Sequence, residues 1–158
     1  MSENIKLLDY LDERLIFTGQ SFKTSTDLFE TISNVALKLG NVRKDFLPRV
    51  MDREANFPTG IQLENIGVAI PHTDAECILK EFVAVVVNQS PTIFKSMEDP
   101  SQSVQASIVF VLGLNQPHKQ LEMLQSLMGL LQNEKLLFQI VAATSAEEVL
   151  KIVKTNKL

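Results

Sequence analysis

Two imidazoles and one guanidinium have the chemistry and the surroundings to act on a charged group. His72 ends the run Ile66-Gly67-Val68-Ala69-Ile70-Pro71-His72. The residues ahead of Pro71 are small or β-branched, the composition of a buried strand. Pro71 cannot donate to a sheet ladder, so the strand is expected to stop there. An imidazole at such a strand end is held rigidly yet reaches solvent, which suits a nucleophile that must meet a partner protein. Neutral imidazole is a good nucleophile near pH 7 and can form a covalent intermediate. A strand-end histidine that merely caps a carbonyl fits the same residues.

His118 is the other of the two histidines and falls in the first turn of a helix that follows an apolar run. Backbone N–H groups at a helix start lack partners and favour a bound anion. A solvated first-turn residue reads the same way. If the His72 strand and the Val104–Leu112 strand lie side by side in parallel, their C-terminal ends bring the two imidazoles together. Arg49 and Arg53 share a face of one short helix. A solvated basic face, paired with Asp45 or Glu54, is the plainer account of both. Arg53, however, precedes the Phe57-Pro58-Thr59-Gly60 turn into the His72 strand, within reach of that strand's end. A guanidinium fork suits the face of a phosphoryl dianion. Phosphoryl transfer asks a protein mainly for positioning and charge stabilisation.

Other chemistries find less support. The six glycines are scattered without a GxxxxGK[ST] loop, and GxSxG and HExxH are absent. One cysteine, Cys77, and two histidines are too few for a structural zinc site, and a lone cysteine suits a reducing compartment. Cys77 as a thiol nucleophile is weaker than Cys77 as an idle buried residue. A hydrolase or metal enzyme using His72 with Asp74 or Glu76 stays as a third class. The net charge of −4 argues against nucleic acid as the main ligand.

The elements that must position these side chains are set by the patterning. At 158 residues, 45% hydrophobic and 22% charged, the chain fits one soluble domain spanning residues 1–158. Met1-Ser2-Glu3-Asn4-Ile5-Lys6 lacks a secretory signal, and the apolar runs are too short to span a bilayer, so a cytoplasmic location is expected. Leu7–Arg14 holds an amphipathic piece, and Leu15–Thr18 reads as a short strand. Ser25 or Thr26 caps a helix that Gly40 stops. Pro48 sits in the first turn of the next helix, which runs to about Ala55. Phe82–Val87 reads as a central strand, apolar on both faces. A polar insert, Asn88–Ser103, separates it from the Val104–Leu112 strand. Asn115 is an N-cap candidate for a helix with a Leu121, Leu124, Leu127, Met128 and Leu131 stripe. Helices from about Asn133 to Ala143 and from Ser145 complete the chain. Inner strands among helices imply a three-layer α/β/α sandwich with a small mixed sheet.

Arg53-Glu54-Ala55-Asn56-Phe57-Pro58-Thr59-Gly60-Ile61, Val68-Ala69-Ile70-Pro71-His72 and His118 ahead of its Leu-rich helix resemble a known family. It is the enzyme IIA domain of fructose/mannitol type, from the bacterial phosphoenolpyruvate-dependent sugar phosphotransferase system. The Phe-Pro-Thr-Gly-Ile segment is most similar to the galactitol-type proteins. The resemblance runs from about Leu15 to Val153 and implies an α/β/α sandwich with a mixed sheet. It implies that His72 accepts a phosphoryl group from the phosphocarrier protein HPr and passes it to enzyme IIB. The membrane enzyme IIC is then an indirect partner, with IIB and IIC on separate polypeptides and no cofactor. His118 matches the histidine that hydrogen-bonds the phosphoryl group, and Arg53 the arginine beside it. Gly67 sits where the pattern has its glycine, whereas Thr73 stands where many members carry a smaller residue, which alters local backbone freedom. A regulatory module of the nitrogen type, whose phosphorylation state controls partners, is the second reading. Docking is expected on an apolar patch around His72.

Overall fold

A computed structural model describes residues 5–158. In chain order the elements are β1 (Ile16–Gln20), α1 (Ser25–Lys38), α2 (Phe46–Asn56), β2 (Gly60–Gln62), β3 (Gly67–Ala69), β4 (Phe82–Lys95), β5 (Ser103–Gly113), α3 (Pro117–Leu130), α4 (Glu134–Val141) and α5 (Ala146–Thr155). The Met1–Asn4 segment, read above for a secretory signal, lies outside the described residues. No helix among the described residues is long and apolar enough to cross a membrane.

The strands form one sheet in the order β1-β4-β5-β3-β2. The β1–β4 and β3–β5 pairs are parallel, while β4–β5 and β2–β3 are antiparallel, so the sheet is mixed as expected. Side chains alternate across it with the period of two that a strand imposes. Val83, Val85, Ile108, Phe110 and Leu112 face one side and pack with Met123, Leu127, Leu137, Val149 and Val153 of α3, α4 and α5. Phe82, Ala84, Val86, Val109 and Val111 face the other and pack with Leu28, Ile32, Phe46 and Val50 of α1 and α2. Two cores on either side of a doubly buried sheet make the three layers.

Several local expectations shift. Thr24, rather than Ser25 or Thr26, caps α1 by accepting the Asp27 N–H at 3.1 Å. Gly40, at φ +79°, ends that helix as expected, with the Asn41 N–H returning to the Ala36 carbonyl at 2.9 Å. The polar stretch read as an insert is mostly strand, since β4 continues through Pro91 to Lys95. Pairing with β5 breaks register between Val87 and Thr92, so Pro91 lies where its missing N–H costs no ladder bond. Within that stretch the buried Asn88 and Thr92 donate to the carbonyls of Ala106 (2.9 Å) and Phe22 (2.8 Å).

β2 replaces part of the expected turn; three residues starting at a glycine carry little periodicity to read. At α3, Gln116 takes the cap position, and the Asn115 N–H donates to Glu81 Oε2 at 3.1 Å. Met123 and Leu130 are buried there with Leu127, while Leu121 and Met128 face outward, so the buried stripe is rotated from the one the leucines suggest. Pro48 and the Ser145 cap stand as read.

β3 is the short strand that carries His72, and its seating depends on Gly67. A Cβ there would collide with the Gln105 carbonyl and lie 2.9 Å from Val104 Cγ1. Gly67→Ala therefore has to push β3 off β5, and a cost of about 1–3 kcal/mol is expected for such overpacking. Urea denaturation should show a lower midpoint with unchanged slope.

Candidate functional site

The β3–β5 pairing carries past the end of β3. The Leu112 N–H donates to the Pro71 carbonyl at 2.9 Å, and His72 is bridged to Leu112 in parallel. The half-buried His72 is thus docked beside the last residues of β5 by backbone bonds. Its Nδ1 lies 3.1 Å from the Ile70 carbonyl oxygen. A carbonyl only accepts, so Nδ1 carries the proton and Nε2 keeps its lone pair. Burial pushes the imidazole pKa below its ordinary value, and the Arg53 charge acts in the same direction, against the Ile70 bond. The ring is therefore neutral at pH 7, the form a nucleophile needs.

Arg53 occupies the last turn of α2, which closes with the Phe57 N–H on the Arg53 carbonyl at 2.7 Å. Its guanidinium carbon sits 4.8 Å from the centre of the exposed Phe57 ring. Neither Asp45 nor Glu54 pairs with it, so the plainer account of a paired basic face holds for Arg49, which meets Asp45, and not for Arg53. Its buried Nε–H has no hydrogen-bond partner among the described residues. A buried donor left unpaired costs about 1–3 kcal/mol, so an anion arriving beside it relieves that penalty. Arg49, one turn earlier, is by contrast occupied by Asp45 (3.0 Å), Asp74 (3.1 Å) and Glu76 (3.7 Å). Arg53, Asn56, Phe57 and Thr73, with Arg49, Asp52 and Asp74, line a depression of about 340 Å³.

His118 is exposed in the first turn of α3, reached from β5 through the Leu114–Gln116 link. Because β3 and β5 are parallel neighbours, His72 and His118 both follow C-terminal strand ends at the same end of the sheet. Asp74 and Glu76, the partners a hydrolase would give His72, are engaged by Arg49 instead. Cys77 is buried, its thiol donating to the Asp74 carbonyl at 3.2 Å, and burial raises its pKa. Among the described residues no group of three His, Cys, Asp or Glu side chains is arranged to hold a metal ion.

Two neighbours of this arrangement escape a reading of the sequence. Phe57 reads there only as turn-forming, although an aromatic four residues past an arginine on a helix can stack on it. Glu54 turns away from Arg53 and accepts the Thr59 N–H (2.8 Å) and hydroxyl (2.7 Å). Burial raises its pKa to about 7, against the lowering effect of the Thr59 bonds.

Two outcomes are expected. In an NMR titration, His72 should protonate at lower pH than a free histidine, and Arg53→Ala should move its midpoint upward by removing a positive neighbour. Glu54 binds its proton more tightly folded than unfolded, so its contribution is complete below its ordinary pKa of 4.5 and lost as pH rises through about 7. Glu54→Gln, which cannot ionise, should therefore gain thermal stability relative to wild type between about pH 5 and 8.

Known proteins share both sequence and fold with this chain. The family described as phosphoenolpyruvate-dependent sugar phosphotransferase system, EIIA 2, matches residues 9–156. The galactitol-specific EIIA component of Escherichia coli K12 is 32% identical over 115 residues, covering 73% of this chain and 76% of that protein. Enzyme IIA of mannitol from Escherichia coli, solved in complex with phosphorylated enzyme IIB, superposes with a TM-score of 0.72 at 24% identity, over 92% of this chain and 97% of that one. Nitrogen regulatory protein IIA-Ntr from Neisseria meningitidis superposes at 0.77 with 22% identity, over 92% and 97%. With the family matched from Asp9 to Asn156, the chain belongs to the type 2 enzyme IIA family of the sugar phosphotransferase system.

Proposed function

We propose that this chain is a phosphoryl carrier that takes a phosphoryl group from phospho-HPr onto His72 Nε2 and delivers it to enzyme IIB. The observation that carries this reading is a half-buried imidazole anchored through Nδ1 on the Ile70 carbonyl and within the influence of the Arg53 charge, whose buried Nε–H has no partner among the described residues. In the acceptor step the Nε2 lone pair attacks phosphorus, and the bond to the donor histidine breaks with its electron pair returning to the donor. Nδ1 keeps its proton on Ile70 throughout, so the product is a singly protonated phosphoimidazole. Arg53 offsets the charge on the equatorial oxygens, and His118 donates to them from the start of α3. Delivery to IIB is the same displacement in reverse.

Residues 1–158 work as one domain in this reading, in the cytoplasm and with no cofactor. The exposed Phe57 and Leu121, the latter one turn beyond His118, supply apolar contact for a docking partner. Galactitol is the sugar to test first, because the 32% relative is galactitol-specific. Selectivity for sugar resides in the membrane enzyme IIC, which this chain reaches only through IIB.

Incubation with phosphoenolpyruvate, enzyme I and HPr should place one acid-labile, base-stable phosphoryl group on the protein, and His72→Ala should take none. Label retained in that variant, or none on wild type, contradicts the proposal. His118→Ala should still accept phosphate but transfer it to IIB more slowly, by about 10²-fold if it matches the loss of a typical oxyanion donor. An unchanged rate removes His118 from the site. Phosphorylation without delivery to any IIB would favour the regulatory reading that the IIA-Ntr fold also allows.

A further inference from the structure

Arg53 serves the proposed site only if its guanidinium is held toward His72, and it sits in the last turn of α2. The chain beyond that turn makes an excursion, Phe57-Pro58, that contributes no ladder bonds of its own. The excursion is closed by one side chain. Glu54 reaches over it and receives Thr59 twice, the backbone N–H on Oε2 at 2.8 Å and the hydroxyl on Oε1 at 2.7 Å. Thr59 is 2% exposed, so water does not compete for these donors.

The clamp continues into the nucleophile strand. The Thr59 carbonyl accepts the Ile70 N–H at 3.3 Å, and the Ile70 carbonyl accepts His72 Nδ1–H at 3.1 Å. An unbroken line of hydrogen bonds therefore runs from Glu54 to His72, with Arg53 next to one end and the imidazole at the other. The Phe57 ring on which Arg53 lies is inside the clamped loop. Glu54 also lines a cavity of about 420 Å³ with Ser25, Met51, Phe94 and Lys95.

We propose that Glu54 and Thr59 are positioning residues that hold Arg53 and its Phe57 platform in register with His72 for phosphoryl transfer. The inference rests on the carrier reading above but makes a separate claim. It is distinct from a merely structural role, in which the clamp would only secure the end of α2 and the start of β2. The separation is measurable because Arg53 bears on the protonation of His72.

The test uses the full chain in five forms: wild type, Arg53→Ala, Glu54→Ala, Glu54→Gln and Thr59→Val. Each is monitored by NMR titration of His72 and by the rate of phosphoryl uptake from phospho-HPr. Thr59→Val and Glu54→Ala should move the His72 midpoint upward, in the direction of Arg53→Ala. They should also slow uptake by about tenfold to 10²-fold, the penalty expected when a charged group is displaced by an ångström or so. Glu54→Gln keeps an acceptor for the Thr59 N–H and a partner for its hydroxyl, so it should recover most of what Glu54→Ala loses. If Glu54→Ala fails to fold, Thr59→Val, which removes only the hydroxyl, carries the test. Lowered melting temperatures with a wild-type His72 midpoint and a wild-type rate overturn the inference while leaving the carrier reading intact. A wild-type protein that accepts no phosphate overturns the carrier reading itself.

Discussion

The contact on which this site depends is the hydrogen bond from His72 Nδ1–H to the Ile70 carbonyl. It sets the tautomer, and the tautomer decides which nitrogen can attack. It also ties the ring to its own strand, so the imidazole inherits the rigidity of the β3–β5 pairing and the Leu112–Pro71 bond beyond it. An imidazole free to rotate would present either nitrogen and lose the geometric advantage of a fixed nucleophile. Burial, with the Arg53 charge acting in the same direction, favours the uncharged ring, the form that the proposed attack on phosphorus requires.

Around this anchor the fold separates rigidity from exposure. The doubly buried strands β4 and β5 fill the centre of the sheet, and the groups of the proposed site come from segments beyond its strand ends. His72 lies just past β3, His118 just past β5, and Arg53 arrives from α2 through a clamped turn. Arg49 and Arg53 show how position on one helix face divides roles. The first pairs with Asp45 at the start of its own helix and with Asp74 and Glu76 after His72, and the second has its Nε–H without a partner among the described residues.

Much of this is legible in residue order. The apolar run before Pro71 marks the strand and its end, Asn115 marks the start of α3 to within one residue of its cap, and purely apolar runs mark the central strands. The features that escape do so for physical reasons. Asn88 and Thr92 look like loop residues because their side chains are polar, but inside the sheet each satisfies itself on a backbone carbonyl, so the strand continues through them. β2 is too short to show alternation. The buried stripe of α3 is misphased in sequence because its leucines outweigh Met123. Glu54 is invisible as a clamp, since its partner lies across an aperiodic turn and a carboxylate beside an arginine is most simply read as its counter-ion. That His72 and His118 both follow the C-terminal ends of neighbouring parallel strands needs the strand order, which periodicity does not encode.

Identifying the phosphorylated nitrogen is the most direct test of this chemistry. Long-range ¹H–¹⁵N NMR of the phosphorylated, histidine-labelled protein should show phosphate on Nε2 of His72, with Nδ1 still protonated and hydrogen-bonded. Phosphate on Nδ1, or on any other residue, would contradict it.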